Sequence, residues 1–495
     1  MKQIVFGIFF ILFINILLAE DEIYSKRIIK SSMKEVYQVL PPKVDNLGDM
    51  FKEGIFYGRL RFNSFGFRWN DELELKGRTV RKDHAVGAIG GSLLYKSAYL
   101  NGFAFTAALY AGKAEGTLDT NEAYLYKSGK GVLSRYSMLN DGESYITSLA
   151  QAYLEYRDDH FFIKAGRIMF ESFLTASNDT KMIPNTFEGA MLESHYFPHT
   201  VIKTAYLSRQ KLRDHTTFHH ILASGDKLAH GKYNIYSQND DAGMHFGLST
   251  SKLKSRGIKD RLIVIEGENN SLENLKLKVN YTAVPELISS AMLQAEYTFD
   301  MGDFTLIPAL RYMRQFDNGA GVIGGANLKT VTTGYKNPES LDSWLFAARV
   351  DLKQDVWKLR LGYTNIADKG DLIAPWRGFP TAGFTRAMSQ YNWYANTETY
   401  MLRVDYDFDK AGIASHLKAF MRYAVQNFDD EKPGVVYADN KVFTLDILKE
   451  IESIPHFYIK FRVGHVVGDP LMRNGKVVKL DPSYDEARFE INYLF

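Results

Sequence analysis

The sequence contains no cysteine, which excludes a disulfide scaffold, a thiolate zinc site and a thiol nucleophile. Proline is scarce, 13 in 495 residues, too few for a long Pro-rich disordered stretch. Net charge is nearly absent. Sixty Lys and Arg against 58 Asp and Glu leave +2, which argues against a general nucleic-acid or polyanion binder. Long apolar runs are missing beyond the first segment, and the mean hydropathy of -0.23 is too polar for a bundle of membrane-spanning helices. Aromatic residues, by contrast, are plentiful, with 30 Tyr and 33 Phe. Such a content requires a large buried core or a surface that does not face water.

The chain opens with Met1-Lys2 and an apolar stretch from Ile4 to Leu18, broken by Gly7 and Asn15. Ala19 before Glu20 is the small residue of a cleavage site. Residues 1–19 therefore read as a secretory signal peptide rather than a membrane anchor, being too short and wrongly flanked to span. Residues 20–52 mix polar and apolar residues without alternation. They are expected to form an N-terminal periplasmic extension, and a short helix within them is left open.

From residue 53 to 495 one unit recurs: about ten residues of alternating character, then a turn or loop. Phe56, Gly58, Leu60 and Phe62 point one way, and Tyr57, Arg59 and Arg61 the other. Leu275, Leu277, Val279 and Tyr281 interleave with Lys276, Lys278 and Asn280. Trp357, Leu359, Leu361 and Tyr363 interleave with Lys358, Arg360 and Gly362. Period-two alternation gives each strand one apolar and one polar face. Aromatics recur at strand ends (Tyr363, Tyr406, Phe408, Tyr423), as in the girdles of an outer-membrane barrel. Short turns such as Arg157 to His160 alternate with long loops near 113–143, 169–186, 213–258, 315–341 and 367–396. The connection at Val284-Pro285-Glu286-Leu287 is unusually short. The expected fold is all-β: one transmembrane antiparallel barrel of about 18 strands, wide enough for an aqueous channel. The last strand alternates to its end through Phe489, Ile491, Tyr493 and Phe495, which resembles the signal read by barrel-assembly machinery.

Thr175-Ala176-Ser177-Asn178-Asp179-Thr180-Lys181-Met182-Ile183-Pro184-Asn185-Thr186-Phe187-Glu188-Gly189 resembles the third-loop motif of the OprD family of outer-membrane porins. Tyr400 to Phe408, followed by Ala411-Gly412-Ile413, is similar to that family's Tyr-Asp-Tyr-Asp-Phe strand and Gly turn. Ala414-Ser415 stands where the family usually has Pro-Gly. Phe51-Lys52-Glu53-Gly54 before Gly58-Arg59-Leu60-Arg61 is similar to the family's first strand. The resemblance implies an eighteen-stranded barrel with long extracellular loops and an inward-folded third loop. It also implies passive, substrate-preferring diffusion of small, often carboxylate-bearing solutes, guided by a row of basic residues on the wall.

If apolar side chains face lipid, the interleaved residues face the lumen. That places Arg59, Arg61, Lys276, Lys278, Arg311, Arg349, Lys358, Arg360, Arg403, Arg422, Lys460 and Arg462 inside as pore-lining candidates. Inward acids are fewer (Glu155, Glu296, Asp351, Asp405, Asp407 and Glu490), so a near-neutral chain is expected to have an anion-attracting pore. The competing expectation is that these cations only solvate a wide lumen and pair with neighbouring acids, as Arg403 could with Asp405. In the third loop, Asn178, Asp179, Lys181 and Glu188 are expected at the constriction, because a long loop at membrane depth must line a water-filled cavity. Asp371, Arg377 and Arg386 lie in a second loop able to fold inward.

His215, His219 and His220, with His230 nearby, read as a solvated loop rather than a metal site. Gly90-Gly91 and Gly321 to Gly325 lack a phosphate-binding context, and no Gly-x-Ser-x-Gly elbow occurs. No enzyme activity, cofactor or metal is expected. The partners expected are small solutes, outer-membrane lipids and assembly machinery. A phosphate-type or general anion porin and a loop-mediated adhesin remain alternatives, and association as a homotrimer is left open.

Overall fold

The computed structural model describes residues 27–29, 35–177, 181–224, 247–388, 391–432 and 436–495. The signal-peptide segment 1–19, Asn178, Asp179 and His230 lie outside the described residues. Eighteen antiparallel strands close into one barrel. They are β1 Ile55–Trp69, β2 His84–Lys96, β3 Phe103–Gly116, β4 Tyr145–Arg157, β5 Phe161–Ile168 and β6 Thr186–Ser194. Next come β7 Thr200–Lys211, β8 Leu262–Asn269, β9 Leu275–Val284, β10 Ile288–Tyr297, β11 Thr305–Asp317 and β12 Ser343–Lys353. The last six are β13 Trp357–Ile366, β14 Glu398–Asp407, β15 Leu417–Asn427, β16 Asn440–Glu450, β17 Phe457–Gly468 and β18 Tyr484–Leu494. Each strand pairs with its sequence neighbour, and β18 closes on β1 from Tyr484 opposite Trp69 to Leu494 opposite Arg59.

The alternation read from sequence sets the two faces. On β1, Tyr57, Arg59, Arg61, Asn63 and Phe65 are buried on the inside, while Phe56 and Phe62 point out. Leu154, Val279, Leu293, Leu310 and Leu361 are all more than half exposed on the outer wall. A water-soluble sandwich would bury such a belt, whereas a lipid-facing wall must show it. Every backbone group of a closed sheet finds a partner strand, as a hydrocarbon environment demands.

Connections at one rim are short, such as 158–160 and 354–356. Those at the other rim are outer loops 1 to 9: 70–83, 117–144, 169–185, 212–261, 285–287, 318–342, 367–397, 428–439 and 469–483. Outer loop 5 is the short one, and it turns tightly with Glu286 at φ 64° and Leu287 N–H bonded to Val284 O at 3.1 Å.

The described residues of the segment before the barrel include a short helix and pack against the barrel. Helix α1, Leu47–Lys52, is capped by the Asn46 side chain accepting from Asp49 N at 2.9 Å. Lys43–Val44 adds a short parallel pairing to Tyr99–Leu100. Further upstream, Arg27–Ile29 pairs with Glu35–Tyr37. Ile29 packs against Leu448, Tyr458 and Leu494 on the inner wall near the periplasmic rim. Arg27 Nη2 donates to Gly58 O at 2.6 Å, and Tyr57 donates its hydroxyl to Val39 O at 2.7 Å. This hairpin therefore lies in the periplasmic mouth.

At the seam between β18 and β1 the Phe495 ring lies where a side chain at position 58 would be. Gly58 N–H donates to Phe495 O at 2.8 Å, and a Cβ at Gly58 would fall 1.9 Å from the Phe495 ring. Phe495 stacks in turn near Tyr493, ring centroids 6.1 Å apart.

Candidate functional site: a basic constriction inside the barrel

Outer loops fill the lumen from two sides. On one side, outer loop 2 packs Leu118, Leu125, Val132 and Met138 onto the inner wall of β1 to β4, joined by Met182 and Ile183 of loop 3. Gly112 on β3 admits Met182, since a Cβ there would press its side chain at 3.1 Å. On the other side, Phe173 and Leu174 of loop 3, Ile221 and Leu222 of loop 4, and Trp376, Phe384 and Trp393 of loop 7 form one apolar cluster against the wall.

Backbone hydrogen bonds tie these loops together. Ala176 N–H donates to Trp376 O at 2.9 Å and Gly378 N–H to Leu174 O at 3.1 Å, an antiparallel contact between loops 3 and 7. Trp376 Nε1 donates to Ile221 O at 2.8 Å, adding loop 4. Lys211 Nζ donates to Pro184 O at 2.9 Å, and Phe173 N–H to Glu266 Oε2 at 2.7 Å, fixing loop 3 to the wall. Non-helical backbone at membrane depth is satisfied by partners, as it must be.

Three wall arginines hold loop 7. Arg311 Nη1 donates to Pro380 O at 2.6 Å and Ala382 O at 2.9 Å. Arg349 and Arg360 both donate to Gly383 O, at 3.0 and 2.7 Å. Arg360 is itself clamped by Asp351 through two bonds of 2.5 and 2.6 Å, and Arg349 lies 3.0 Å from Glu296. Farther along loop 7, Asp371 Oδ1 accepts from Tyr335 OH and Ala395 N–H, both at 2.8 Å. Burial pushes the Asp371 carboxyl above its ordinary pKa against these bonds.

Among the described residues, a cavity of about 390 Å³ lies against the wall of β15, β17, β18 and β1. The wall contributes Arg422, Lys460, Arg462, Arg488, Glu490 and Phe65. Loops contribute Lys127, Lys130, Lys181, Arg213, Arg377 and Arg386. Ten cations thus meet a single lining carboxylate. Behind them, Asp446 on β16 is shared by Arg462 at 2.7 Å, Lys460 at 3.6 Å and Arg422 at 3.7 Å. Glu486 pairs with Arg488 and accepts from Ser128 Oγ at 2.7 Å. Lys181 sits 3.6 Å from Glu490 and 4.1 Å above the Phe65 ring. Burial, opposed only in part by Glu490, pulls the Lys181 ammonium down to about 7.

Of the residues expected from sequence, Arg422, Lys460, Arg462 and Lys181 come together here, joined by Arg377 and Arg386 of the second loop expected to fold inward. Arg403 lies opposite Arg360 and Arg422 in register, yet Asp405 of its own strand holds it at 2.9 Å, with Lys358 3.7 Å from the same carboxylate. Lys276 and Lys278 pair with Glu268 and Glu266 at 2.9 to 3.0 Å, away from the cavity. Arg59 donates to Asn492 Oδ1 at 3.0 and 2.6 Å, and Arg61 is buried beside it on the inner wall.

Glu188 does not join the constriction. The strand β6 begins at Thr186, Phe187 takes the inward position, and Glu188 therefore faces out between Arg167 at 3.2 Å and Arg209 at 3.9 Å. The expected solvated histidine loop is instead packed in at His215 and His219, both buried. His220 Nδ1 lies 2.7 Å from Asp260, and the buried rings of His215 and His219 meet at 4.9 Å. No metal-binding group of three occurs among the described residues.

Lys127, Lys130, Arg213 and Arg488 were missed. Arg488 was legible, because it stands between Glu486 and Glu490 on the polar face of β18. Lys127 and Lys130 flank Gly129, whose φ of 70° and lack of a Cβ let the turn lie against Val86 and Phe65.

A closed barrel, apolar outside, with inward loops around a charged gap, is an outer-membrane pore. The sequence profile described as outer membrane porin, OprD family, matches residues 93–432. The chain belongs to that family, and its location is the outer membrane. Among solved structures, OccAB3 of Acinetobacter baumannii is similar at a TM-score of 0.68 and 15% identity, covering 90% of this chain and 100% of that one. OccK8 (OprE) of Pseudomonas aeruginosa gives 0.67 and 14%, covering 90% and 99%. OpdK of the same organism, whose structure contains vanillate, gives 0.63 and 14%, covering 90% and 99%. At such identities the likeness is one of fold. A comparison with curated protein sequences gives no match.

Proposed function

We propose that this porin is anion-preferring and passes small carboxylate-bearing solutes by facilitated diffusion. The observation that carries the proposal is the sign of the constriction, ten cations around one lining carboxylate. A low-dielectric wall focuses such a field and raises the local concentration of anions. Arg offers a planar fork suited to a carboxylate. Phe65, Phe379 and Tyr391 give the same cavity aromatic faces for the apolar body of a solute. OpdK, a family relative, holds vanillate, an aromatic carboxylate. Binding need only be weak and shared over several groups for the solute to leave.

Phe489, Ile491, Tyr493 and Phe495 are proposed to guide insertion through the barrel-assembly machinery. Their alternation along the seam strand supports that role.

The test is reversal potential in a planar bilayer under a KCl gradient, followed by competition between an aromatic carboxylate and inorganic phosphate. Chloride preference that drops in Arg422→Ser plus Arg462→Ser supports the basic constriction. Carboxylates blocking current more strongly than phosphate support the solute class. Stronger block by phosphate would favour the phosphate-type alternative, and cation preference would overturn both.

A further inference from the structure

We infer that the outer wall carries a binding site for a phosphate group of an outer-leaflet lipid, built from Arg167, Arg209 and Arg261 around Glu188. It rests on the outer-membrane location and not on the solute preference.

All four residues stand at the outer rim of adjacent strands. Arg167 is the last but one residue of β5, Glu188 the third of β6, and Arg209 the third from the end of β7, while Arg261 immediately precedes β8. They face the membrane side. Their inward neighbours Ile168, Phe187, Leu207 and Leu262 are fully buried in the luminal cluster. Below them on the same outer wall, Ile163, Tyr206 and Ile265 form part of the exposed apolar belt. The patch therefore sits where hydrocarbon gives way to headgroups.

A backbone irregularity puts Arg209 there. Strict alternation from the inward Leu207 would turn Arg209 into the lumen. The register shift between Glu188 and Gly189 against β7 leaves Ser208 as an extra residue and sets Arg209 opposite Glu188 on the outside. Bulges of this kind re-aim a side chain.

Two of the three guanidinium groups are also held, and the third is free to reach a ligand. Arg167 Nη1 donates to Leu149 O at 3.2 Å, and its guanidinium lies 4.8 Å from the Phe218 ring of loop 4. Arg261 Nη1 donates to Ser208 O at 3.2 Å and to Asp260 O at 3.1 Å. Arg209 and Glu188 are 3.9 Å apart, and the Arg209 side chain is 61% exposed. One carboxylate against three guanidiniums leaves a net charge of two positive units on a lipid-facing surface. Outward charge near the interface is tolerated at low cost, and a fork of arginines matches a phosphate monoester. A phosphorylated lipid supplies both the anion and the acyl chain that lies along the belt beneath.

The experiment uses the full-length porin with lipid A and its dephosphorylated form, counted per barrel by native mass spectrometry after detergent washing. Wild-type protein should retain lipid A and not the dephosphorylated form. Arg167→Ala plus Arg209→Ala should lower retention about tenfold or more, given the strength of charge-assisted Arg contacts. Arg68→Ala, at the same rim but paired with Asp485, should leave it unchanged. Glu188→Gln, which disturbs no packing, should raise retention, so the proposal stays testable if the double variant fails to fold. Equal retention by all variants would overturn it. Displacement of lipid A by millimolar inorganic phosphate would also overturn it, making the patch a free-anion site. Neither outcome bears on the chloride preference of the pore.

Discussion

Lys181 of the third outer loop meets Glu490 of the final strand at 3.6 Å, the contact by which the loop lends a charge to the wall opposite. With the Lys181 pKa at about 7, its charge is present in acid and fades as pH rises through neutrality. Chloride over potassium preference should therefore decline modestly from about pH 6 to about pH 8, one cation of ten being lost, since a buried ammonium titrates near its depressed value. Reversal potentials across that range measure it. Lys181→Met should give the high-pH value throughout, and an unchanged slope in that variant would refute the assignment.

Asp446 predicts the opposite sign. Its carboxylate neutralises part of Arg422, Lys460 and Arg462. Asp446→Asn should strengthen chloride preference, read from the same reversal potentials. It should also lower the urea midpoint of unfolding, because three cations lose their shared counter-ion.

The Arg360 to Asp351 clamp predicts a gating phenotype. Arg360→Ala removes one donor to Gly383 O and leaves Asp351 without its bidentate partner. Breaking a buried pair of this kind costs on the order of 3 kcal/mol. Single-channel recordings should show larger and noisier conductance as loop 7 loosens.

At the seam, Gly58→Val should weaken closure, since its Cβ would displace the Phe495 ring from its present position. Gel mobility of unheated samples checks it. The folded fraction should fall in Gly58→Val and recover, at least in part, in Gly58→Val with Phe495→Ala.

The hairpin in the periplasmic mouth can be pinned. Because the chain has no cysteine, Ile29→Cys plus Leu494→Cys creates the only thiol pair. If the hairpin narrows the mouth, the oxidised pair should keep conductance at or below the wild-type level. Removing residues 20–38 should raise it.

Much of this architecture was legible in period-two alternation, because a wall between lipid and water must sort side chains by face. The faces of β1, β9 and β13 follow directly from it. Alternation does not say what a long side chain touches. Arg311, Arg349 and Arg360 stand on the polar face like Arg422 and Arg462, yet their guanidiniums end on loop 7 carbonyls. The loops set that difference, and their inward packing depends on contacts between segments far apart in sequence, such as Trp376 with Ile221. Glu188 carries the third-loop motif past the loop: it is the third residue of β6, and beside the inward Phe187 alternation turns it outward. Lys127 and Lys130 lay in a stretch with no period at all, where only Gly129 hinted at a close approach.

The pairing of β18 with β1 also constrains how the molecule comes into being. The first strand has no second partner until the last has been synthesised, so the contact of greatest sequence separation is the one that removes the final open edge. Any chain stopped early would present two rows of unpaired amides to a medium that cannot solvate them. A chain without β18 leaves both β1 and β17 with an open edge, so closure is a property of the assembled sheet as a whole.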